Sequence, residues 1–250
     1  DSIKKQTFQN YEVVIQDGFS KDKTLELIDK YYSGDNRFKV FSKTDKHAVE
    51  GLNSALNKTS GEYLMYMSIS DEYEDSEWFD KCVDILDKNQ EISLVHGNDI
   101  RKYPGMKYGD LRFPEYKNHN MPNRESFLPY WLATYYHISE LNYCVRRKIY
   151  FDCYKQYQGI DLIKKIKDGR NVNFNDIDEY NPLLTFTYNF IKKGYLPYHI
   201  PTIATSTFQN IDRLSNTTHG GIIARVQKEI YMEKLKDFQK MFFNGSIEYR

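Results

Sequence analysis

The feature that most constrains the fold is an alternation, over the first hundred residues, between short β-branched segments and segments whose apolar residues recur at helical spacing. The predicted strands are 11–16, 37–42, 63–67 and 92–96, and a helix is predicted after each of the first three. Such alternation requires crossover connections, which are right-handed and favour parallel pairing. The pattern therefore predicts an α/β fold with a largely parallel central sheet, helices on both faces and a C-terminal helical region.

Beyond residue 100 the periodicity is weaker. The predicted elements there are a long surface segment at 102–124, a strand at 143–150, a short helix at 160–166, a helix beginning at Asn181-Pro182, a strand at 198–204 and a terminal helix from about residue 218. We therefore divide the chain at this change of pattern, into residues 1–100 and residues 101–250.

Ligands of parallel sheets bind outside the carboxyl ends of the strands. The loops at that edge are predicted at 16–23, 42–47, 68–72 and 96–101. None of them contains a glycine-rich phosphate loop, which disfavours both a P-loop and a dinucleotide site of the Rossmann type.

Composition excludes several classes of function. The chain has 35 basic and 35 acidic side chains, so it lacks the basic surplus of a general nucleic-acid binder, and we predict no nucleic-acid partner. Its longest apolar run, at 63–67, is far too short to cross a bilayer. The three cysteines are widely spaced and odd in number, which favours neither a disulfide framework nor a zinc site. They indicate a reducing compartment, and we expect a cytoplasmic protein.

Three motifs, in order, carry a resemblance to a known family. They are QTFQNYEVVIQDGFSKDKT at 6–24, SKTDK at 42–46 followed by EGLN at 50–53, and GEY at 61–63, which leads to Asp71. Together they resemble the inverting family 2 glycosyltransferases of the GT-A fold. The resemblance implies transfer of a sugar from a nucleotide-diphosphate donor to a glycan or lipid-linked acceptor, as in polysaccharide biosynthesis, with residues 1–100 binding the donor and residues 101–250 the acceptor.

The chain departs from the family pattern in two places. The family begins with a strand and loop that would precede Asp1, so we expect a truncated N-terminus, or further residues before Asp1, and an open central position in the sheet. In addition, most relatives have two acidic residues after the third strand, where this chain has Ser68-Ile69-Ser70-Asp71.

The resemblance implies four nucleotide-sugar contacts. They are Asp17, Asp45, Asn53 and Ser70. Asp17 is also explained as a turn residue before a glycine, and Asp45 as the N-cap of the next helix. The Ser70 hydroxyl is suited to ribose or water, but it does not replace the charge of a carboxylate.

Asp71 is the candidate metal ligand. A departing diphosphate needs its charge neutralised, and a divalent cation such as Mn²⁺ or Mg²⁺ does so with few protein carboxylates. Glu72 and His219 are the alternatives as ligands. A solvated acidic loop would explain Asp71 without any metal.

An inverting transferase needs a carboxylate that takes the proton of the acceptor hydroxyl. The resemblance implies that this base precedes a helix ending in a sequence such as the Lys193-Gly194-Tyr195 of this chain, and Asp178 or Glu179 is the candidate. The alternative is a capping charge at a helix N-terminus.

Three other interpretations remain open. A degenerate GT-A domain that binds sugar, nucleotide or protein without catalysis would explain the serines at 68 and 70. A nucleotidylyltransferase is disfavoured, because no glycine-rich loop bearing Arg or Lys is present. The terminal helix has basic residues beside its apolar stripe, which allows peripheral membrane contact, although acidic residues on the same helix favour a solvated face.

Overall fold

The computed structural model describes residues 1–102, 138, 140, 142–208 and 218–245. Its strands are β1 (Val13–Asp17), β2 (Phe38–Ser42), β3 (Tyr63–Met65), β4 (Asp71–Tyr73), β5 (Ile92–Lys102), β6 (Tyr143–Arg146) and β7 (Leu196–Phe208). Its helices are α1 (Thr24–Tyr32), α2 (Ala48–Leu56), α3 (Trp78–Lys88), α4 (Arg147–Cys153), α5 (Leu162–Lys167), α6 (Phe174–Tyr180), α7 (Pro182–Lys192) and α8 (Thr218–Phe243). Residues 103–124 of the predicted surface segment lie outside the described residues.

The strands form two sheets. β1 and β2 pair in parallel, and the other five strands are ordered β3-β6-β5-β7-β4. In the larger sheet β5 and β7 are parallel, whereas the other three pairings are antiparallel. The α/β architecture is confirmed, but this sheet is mixed rather than largely parallel. The antiparallel pairings are those of β6 with β3 and β5, and of β4 with β7.

Helices cover the larger sheet on both faces, as predicted. Side chains of β6 alternate between two hydrophobic clusters, with Cys144 in one and Val145 in the other. The first cluster contains Trp78 and Leu86 of α3, both fully buried. The second contains side chains of α4, α7 and α8, such as Phe186 of α7. No helix in the described part of the chain is long and apolar enough to cross a membrane.

Gly97 does not end β5, contrary to the expectation that the strand stops at residue 96. β5 continues, paired in parallel with β7, to Lys102. Glycine is needed at position 97 because the strands approach closely: a Cβ there would lie 2.8 Å from the Cβ of Ala204 and 3.1 Å from the carbonyl oxygen of Thr202. The pairing shifts register around this glycine, which marks an irregularity in the strand rather than its end.

The predicted strand at 143–150 is correct only as far as Arg146. Its guanidinium donates to the carbonyl oxygens of Ile92 (2.9 Å), Leu86 (2.5 Å) and Asn89 (3.1 Å), and so holds β6 against the end of α3. The chain then turns into α4, whose Tyr150 is buried.

The two sheets are joined at the start of β1. The carboxylate of Glu12 accepts hydrogen bonds from the Ser60 hydroxyl (2.8 Å) and the Gly61 N–H (3.0 Å), just before β3, and forms an ion pair with Lys39 at 2.7 Å. Among the described strands, β1 pairs only with β2, and β3 only with β6. Among the described strands, β1 and β3 therefore each have one unpaired edge. Glu12 links the two sheets to which these strands belong.

We expect Glu12 to stabilise the fold in a pH-dependent way. Burial opposes ionisation, but the bonds from Lys39, Ser60 and Gly61 outweigh it and lower the pKa of Glu12 to about 2. Because the folded-state pKa is depressed, the stabilisation is present above pH 4.5 and is lost as the pH falls through about 2. Glu12→Gln should lower the free energy of unfolding by about 1 kcal/mol at pH 7, since surface pairs are screened by solvent.

The measurement is urea unfolding of both proteins between pH 7 and pH 2. The difference between wild type and variant should shrink as the pH falls. A difference that stays constant over this range would contradict the assignment to Glu12.

Candidate functional site

Asp17 is the last residue of β1, at the carboxyl edge of the parallel pair, and it is buried. Its carboxylate accepts hydrogen bonds from the Ser20 N–H (3.0 Å), the Ser20 hydroxyl (2.5 Å) and the Ser42 hydroxyl (2.8 Å). These bonds, that from the Ser20 hydroxyl foremost, lower the pKa of Asp17. An ionised carboxylate is therefore fixed at this edge, and it also organises the turn after β1.

Asp45 lies beside this turn. A Cβ placed on Gly18 would be 3.7 Å from Oδ2 of Asp45, and one placed on Gly51 only 2.7 Å from the same oxygen. Burial, followed by the charge of Glu50, raises the pKa of Asp45, and the charge of Asp17 contributes to the shift. The N-cap of α2 is His47 and not Asp45. The two predicted nucleotide-binding carboxylates therefore lie close together, next to helix α2.

Gly51→Ala tests whether the position of Asp45 matters. The added methyl group would displace the Asp45 carboxylate, whereas alanine is the better helix former by about 1 kcal/mol. We expect the variant to keep its melting temperature and to bind a nucleoside diphosphate about tenfold more weakly, the size expected for one lost bond to a charged group. Calorimetric titration measures this, and unchanged affinity with an unchanged melting temperature would contradict the prediction.

Asn53, another predicted contact, lies in α2 and is buried. Its amide nitrogen donates to the carbonyl oxygen of Tyr157 (3.3 Å), and its carbonyl oxygen accepts from the Tyr154 hydroxyl (2.9 Å). Asn53 thus connects α2 to the segment that follows α4.

Asp71 is the first residue of β4 and is 7% exposed. Its two carboxylate oxygens accept separate bonds, from the Ser68 N–H (2.8 Å) and from the Thr207 hydroxyl (3.0 Å). The Ser70 hydroxyl lies 3.2 Å from that of Ser68. Asp71 is therefore held at a strand end, which is a different setting from a solvated acidic loop.

Asp71 has few potential partners for binding a divalent cation. Within the described part of the chain no three His, Cys, Asp or Glu side chains are grouped to hold a metal. Glu72 is paired with Lys102 instead (3.3 Å), and the side chain of His219 lies outside the described residues. A carboxylate has about four lone-pair sites, of which Asp71 uses two. Asp71 therefore fits as a single ligand to a cation that draws its other oxygens from phosphate and water.

Asp178 and Glu179 directly precede α7, whose N-cap is Asn181, as predicted, but they also lie in the last turn of α6, a helix that was not predicted. Asn173 begins α6 with a capping box that includes Asp176, so the capping charge belongs to Asp176. The helix was missed because a polar, aspartate-rich sequence shows no apolar stripe.

The two candidate bases are held differently. Oδ1 of Asp178 accepts from the Thr185 hydroxyl (2.5 Å) and the Asn189 amide (3.0 Å), which binds α6 to α7. Oε1 of Glu179 accepts from the backbone N–H groups of Gln158 (3.3 Å) and Ile160 (3.1 Å). No described residue bonds to the second oxygen of either carboxylate.

Three rings that the sequence did not indicate connect these regions. The ring of His47 stacks on that of Tyr157 (centroids 5.1 Å apart) and contacts that of Tyr180 (4.3 Å). Burial lowers the pKa of His47, and its Nδ1 accepts from the Val49 N–H at 3.2 Å. The loop of Asp45 is thereby fixed next to the end of α6. The rings lie far apart along the chain, so no spacing could have revealed the contact.

Comparison with known proteins identifies the family. The model of the family described as glycosyl transferase family 2 matches residues 1–154, which is more than half of the chain. The chain belongs to glycosyl transferase family 2. The resemblance predicted from the three motifs is confirmed.

Curated relatives are more distant. A glycosyltransferase of PGL/p-HBAD biosynthesis from Mycobacterium tuberculosis is 23% identical over 110 residues, which cover 44% of this chain and 43% of that protein. An uncharacterized glycosyltransferase of Haemophilus influenzae is 33% identical over 95 residues, covering 38% and 29%. The chain thus spans less than half the length of these relatives.

Solved structures show the fold. S. aureus TarS 1–349 in complex with UDP superposes with a TM-score of 0.54 at 14% identity, covering 84% of this chain and 55% of that one. The mannosyltransferase PcManGT from Pyrobaculum calidifontis, in complex with GDP-Man and Mn²⁺, gives 0.52 at 12% identity, covering 91% and 55%. The family 2 chain therefore has the GT-A fold that the motifs predicted.

Proposed function

We propose that this chain transfers a sugar from a nucleotide-diphosphate donor to a hydroxyl group of a glycan or lipid-linked acceptor, with inversion at the anomeric carbon. The observation that carries the proposal is the proximity of Asp17 and Asp45 at the carboxyl edge of β1 and β2, where ligands of parallel sheets bind. The complexes of TarS with UDP and of PcManGT with GDP-Man support this class of donor.

The donor half is proposed to work through hydrogen bonds to the nucleoside. The ionised Asp17 and its neighbour Asp45 are acceptors for N–H groups of the base or hydroxyl groups of the ribose. Asn53 and Ser70 remain proposed contacts, of which Asn53 already uses both ends of its amide within the protein.

Asp71 is the proposed ligand of a divalent cation, Mn²⁺ or Mg²⁺. When bound, the cation neutralises charge on the departing diphosphate. The complex of PcManGT with Mn²⁺ supports this proposal. Asp71 is held in place by Ser68 and Thr207 before any ligand arrives, so a single carboxylate is already positioned.

Glu179 is the proposed general base of the pair. Asp178 is directed into the packing of α6 on α7, whereas Glu179 bonds to the segment that includes Tyr157, whose ring contacts His47 beside Asp45. Glu179 is thus connected to the donor loop through Tyr157 and His47, which supports it as the base over Asp178. The second oxygen of Glu179 would accept the proton of the acceptor hydroxyl, while the hydroxyl oxygen attacks the anomeric carbon and the nucleoside diphosphate leaves.

The division into a donor half at 1–100 and an acceptor half at 101–250 is proposed for function and not for folding, since β6 and β7 of the second half pair with β3, β4 and β5 of the first. A cytoplasmic location is also proposed, and three buried free thiols support it. Peripheral membrane contact is proposed through exposed basic residues of α8, namely Arg225, Lys228, Lys236 and Lys240.

Calorimetric titration with UDP, GDP and dTDP, with and without Mn²⁺, tests the proposed function. We expect binding of at least one nucleotide that Mn²⁺ strengthens, together with slow hydrolysis of the matching sugar nucleotide. Asp17→Asn should weaken the binding, while Tyr31→Leu, an exposed change at the far end of α1, should not. Absence of binding under every condition would refute the proposal.

A second candidate is a GT-A domain that binds a ligand without catalysis. Two observations favour it: both candidate bases are engaged in internal hydrogen bonds, and serines replace an acidic residue before Asp71. Nucleotide binding without any sugar-nucleotide hydrolysis or transfer would support this candidate over the enzyme.

A further inference from the structure

Phe19 has an unusual backbone conformation. Its φ is 68°, and every other residue with positive φ in the described part of the chain is a glycine. The left-handed region is unfavourable for a residue with a Cβ. The turn imposes it, because the Asp17 carboxylate binds both the N–H and the hydroxyl of Ser20 and so closes the chain around position 19.

The side chain of Phe19 gains little from its own protein. It is 51% exposed and belongs to neither of the two hydrophobic clusters. Its one described ring contact is the ammonium group of Lys21, which lies 3.9 Å from the ring centroid. Both the left-handed backbone of Phe19 and the exposure of its apolar ring are unfavourable. Glycine would fit the turn without either penalty.

The position of Phe19 suggests what offsets these penalties. The residue stands two positions after Asp17, and its neighbour Gly18 faces the carboxylate of Asp45. The aromatic ring is therefore carried by the loop that begins at Asp17, and Asp45 of the loop after β2 lies beside it; these are the two carboxylates proposed to contact the nucleoside. Strained backbone conformations of this kind cluster at active sites, ligand clamps and switch regions.

We propose that Phe19 is the residue on which the base of the donor nucleotide stacks, with Lys21 placing positive charge beside the ligand. This inference rests on the proposed function and deepens it by assigning a specificity-determining residue. Stacking accepts any base because every base has a π-face. Phe19 thus favours nucleoside diphosphates over ligands that lack a base, while hydrogen bonds to Asp17 and Asp45 distinguish one base from another.

The experiment compares three variants in the full chain by calorimetry, with UDP, GDP, dTDP and inorganic pyrophosphate in the presence of Mn²⁺. Phe19→Leu keeps the bulk but removes the ring, and Phe19→Tyr keeps the ring. Phe19→Gly removes the ring and relieves the backbone. Tyr31→Leu is the matched control, since Tyr31 is 54% exposed and Lys30 lies over its ring.

We expect Phe19→Leu and Phe19→Gly to bind the preferred nucleotide at least fivefold more weakly, the lower limit for one stacked base. Phe19→Tyr and Tyr31→Leu should match wild type, and pyrophosphate affinity should be the same in all proteins. Phe19→Gly should also melt at a higher temperature than wild type, so that relief of strain and loss of affinity occur together.

Wild-type nucleotide affinity in Phe19→Leu and Phe19→Gly would overturn the inference and leave the proposed function intact. An equal loss of nucleotide and pyrophosphate affinity would also overturn it, since the effect would then not depend on the base. If the wild-type chain bound no nucleotide at all, the proposed function would fail, and this inference with it.

Discussion

Replacing Glu179 with glutamine is expected to lower turnover by about 10²- to 10⁴-fold, the usual contribution of a general base. The change is nearly isosteric. Both N–H groups that hold Glu179, those of Gln158 and Ile160, donate to Oε1 alone. The amide oxygen can therefore keep both bonds, and only the oxygen proposed to accept a proton is replaced. Nucleotide affinity should change little, because the donor contacts lie on other loops.

Asp178→Asn is the matched control for this prediction. The Thr185 hydroxyl and the Asn189 amide both donate to Oδ1 of Asp178. An asparagine at this position can therefore keep both hydrogen bonds and the packing of α6 on α7. We expect this variant to retain turnover within a few-fold of wild type. The measurements are kcat and the nucleotide Kd for each variant separately. Wild-type turnover in both variants would show that α6 does not supply the base.

Replacing Asp71 with asparagine is expected to abolish metal-dependent turnover. Asparagine can accept from the Ser68 N–H and donate to the Thr207 hydroxyl, so both local hydrogen bonds have a counterpart in the variant. What it lacks is the negative charge. Metal affinity should fall by at least about 10²-fold, since even substitutions outside the ligand shell lower it 10- to 100-fold. The readout is the ratio of nucleotide Kd values with and without Mn²⁺, which should approach one.

Ser70→Asp supplies the complementary test. It restores an acidic residue one position before Asp71, near the Ser68 hydroxyl, and should preserve or strengthen the effect of Mn²⁺ on nucleotide affinity. If Asp71→Asn left metal-dependent turnover unchanged, the cation would have to bind elsewhere, and Glu72 and His219 would be the next residues to replace.

The elements that could be predicted from the sequence are those with a local period. β1 and β2 lie within two residues of their predicted bounds, and α1 and α2 follow them as predicted, because each element shows a clear period of its own. β4 was predicted as a loop, since three polar or aromatic residues show no period. α6 was missed for the same reason, so the prediction placed Asp178 and Glu179 before the N-terminus of α7 without showing that they also end a helix of their own.

The candidate site shows the same division. Asp17, Asp45 and Asp71 could be selected from motifs, because the loop after a strand is fixed by the strand itself. Their surroundings could not. Asn53 is bonded to a tyrosine 101 positions away along the chain, and no local pattern of residues encodes such a contact.

By itself, the sequence determined the α/β class, the parallel β1–α1–β2 unit and the family, since these depend on periodicity and on motifs within about twenty residues. Only the tertiary structure decided the antiparallel pairing of β4 and β6 and the contacts of the His47 ring with the rings of Tyr157 and Tyr180. It also decided the left-handed conformation of Phe19. The physical reason is that hydrogen bonds and ring contacts between distant segments form only once the sheets have brought those segments together.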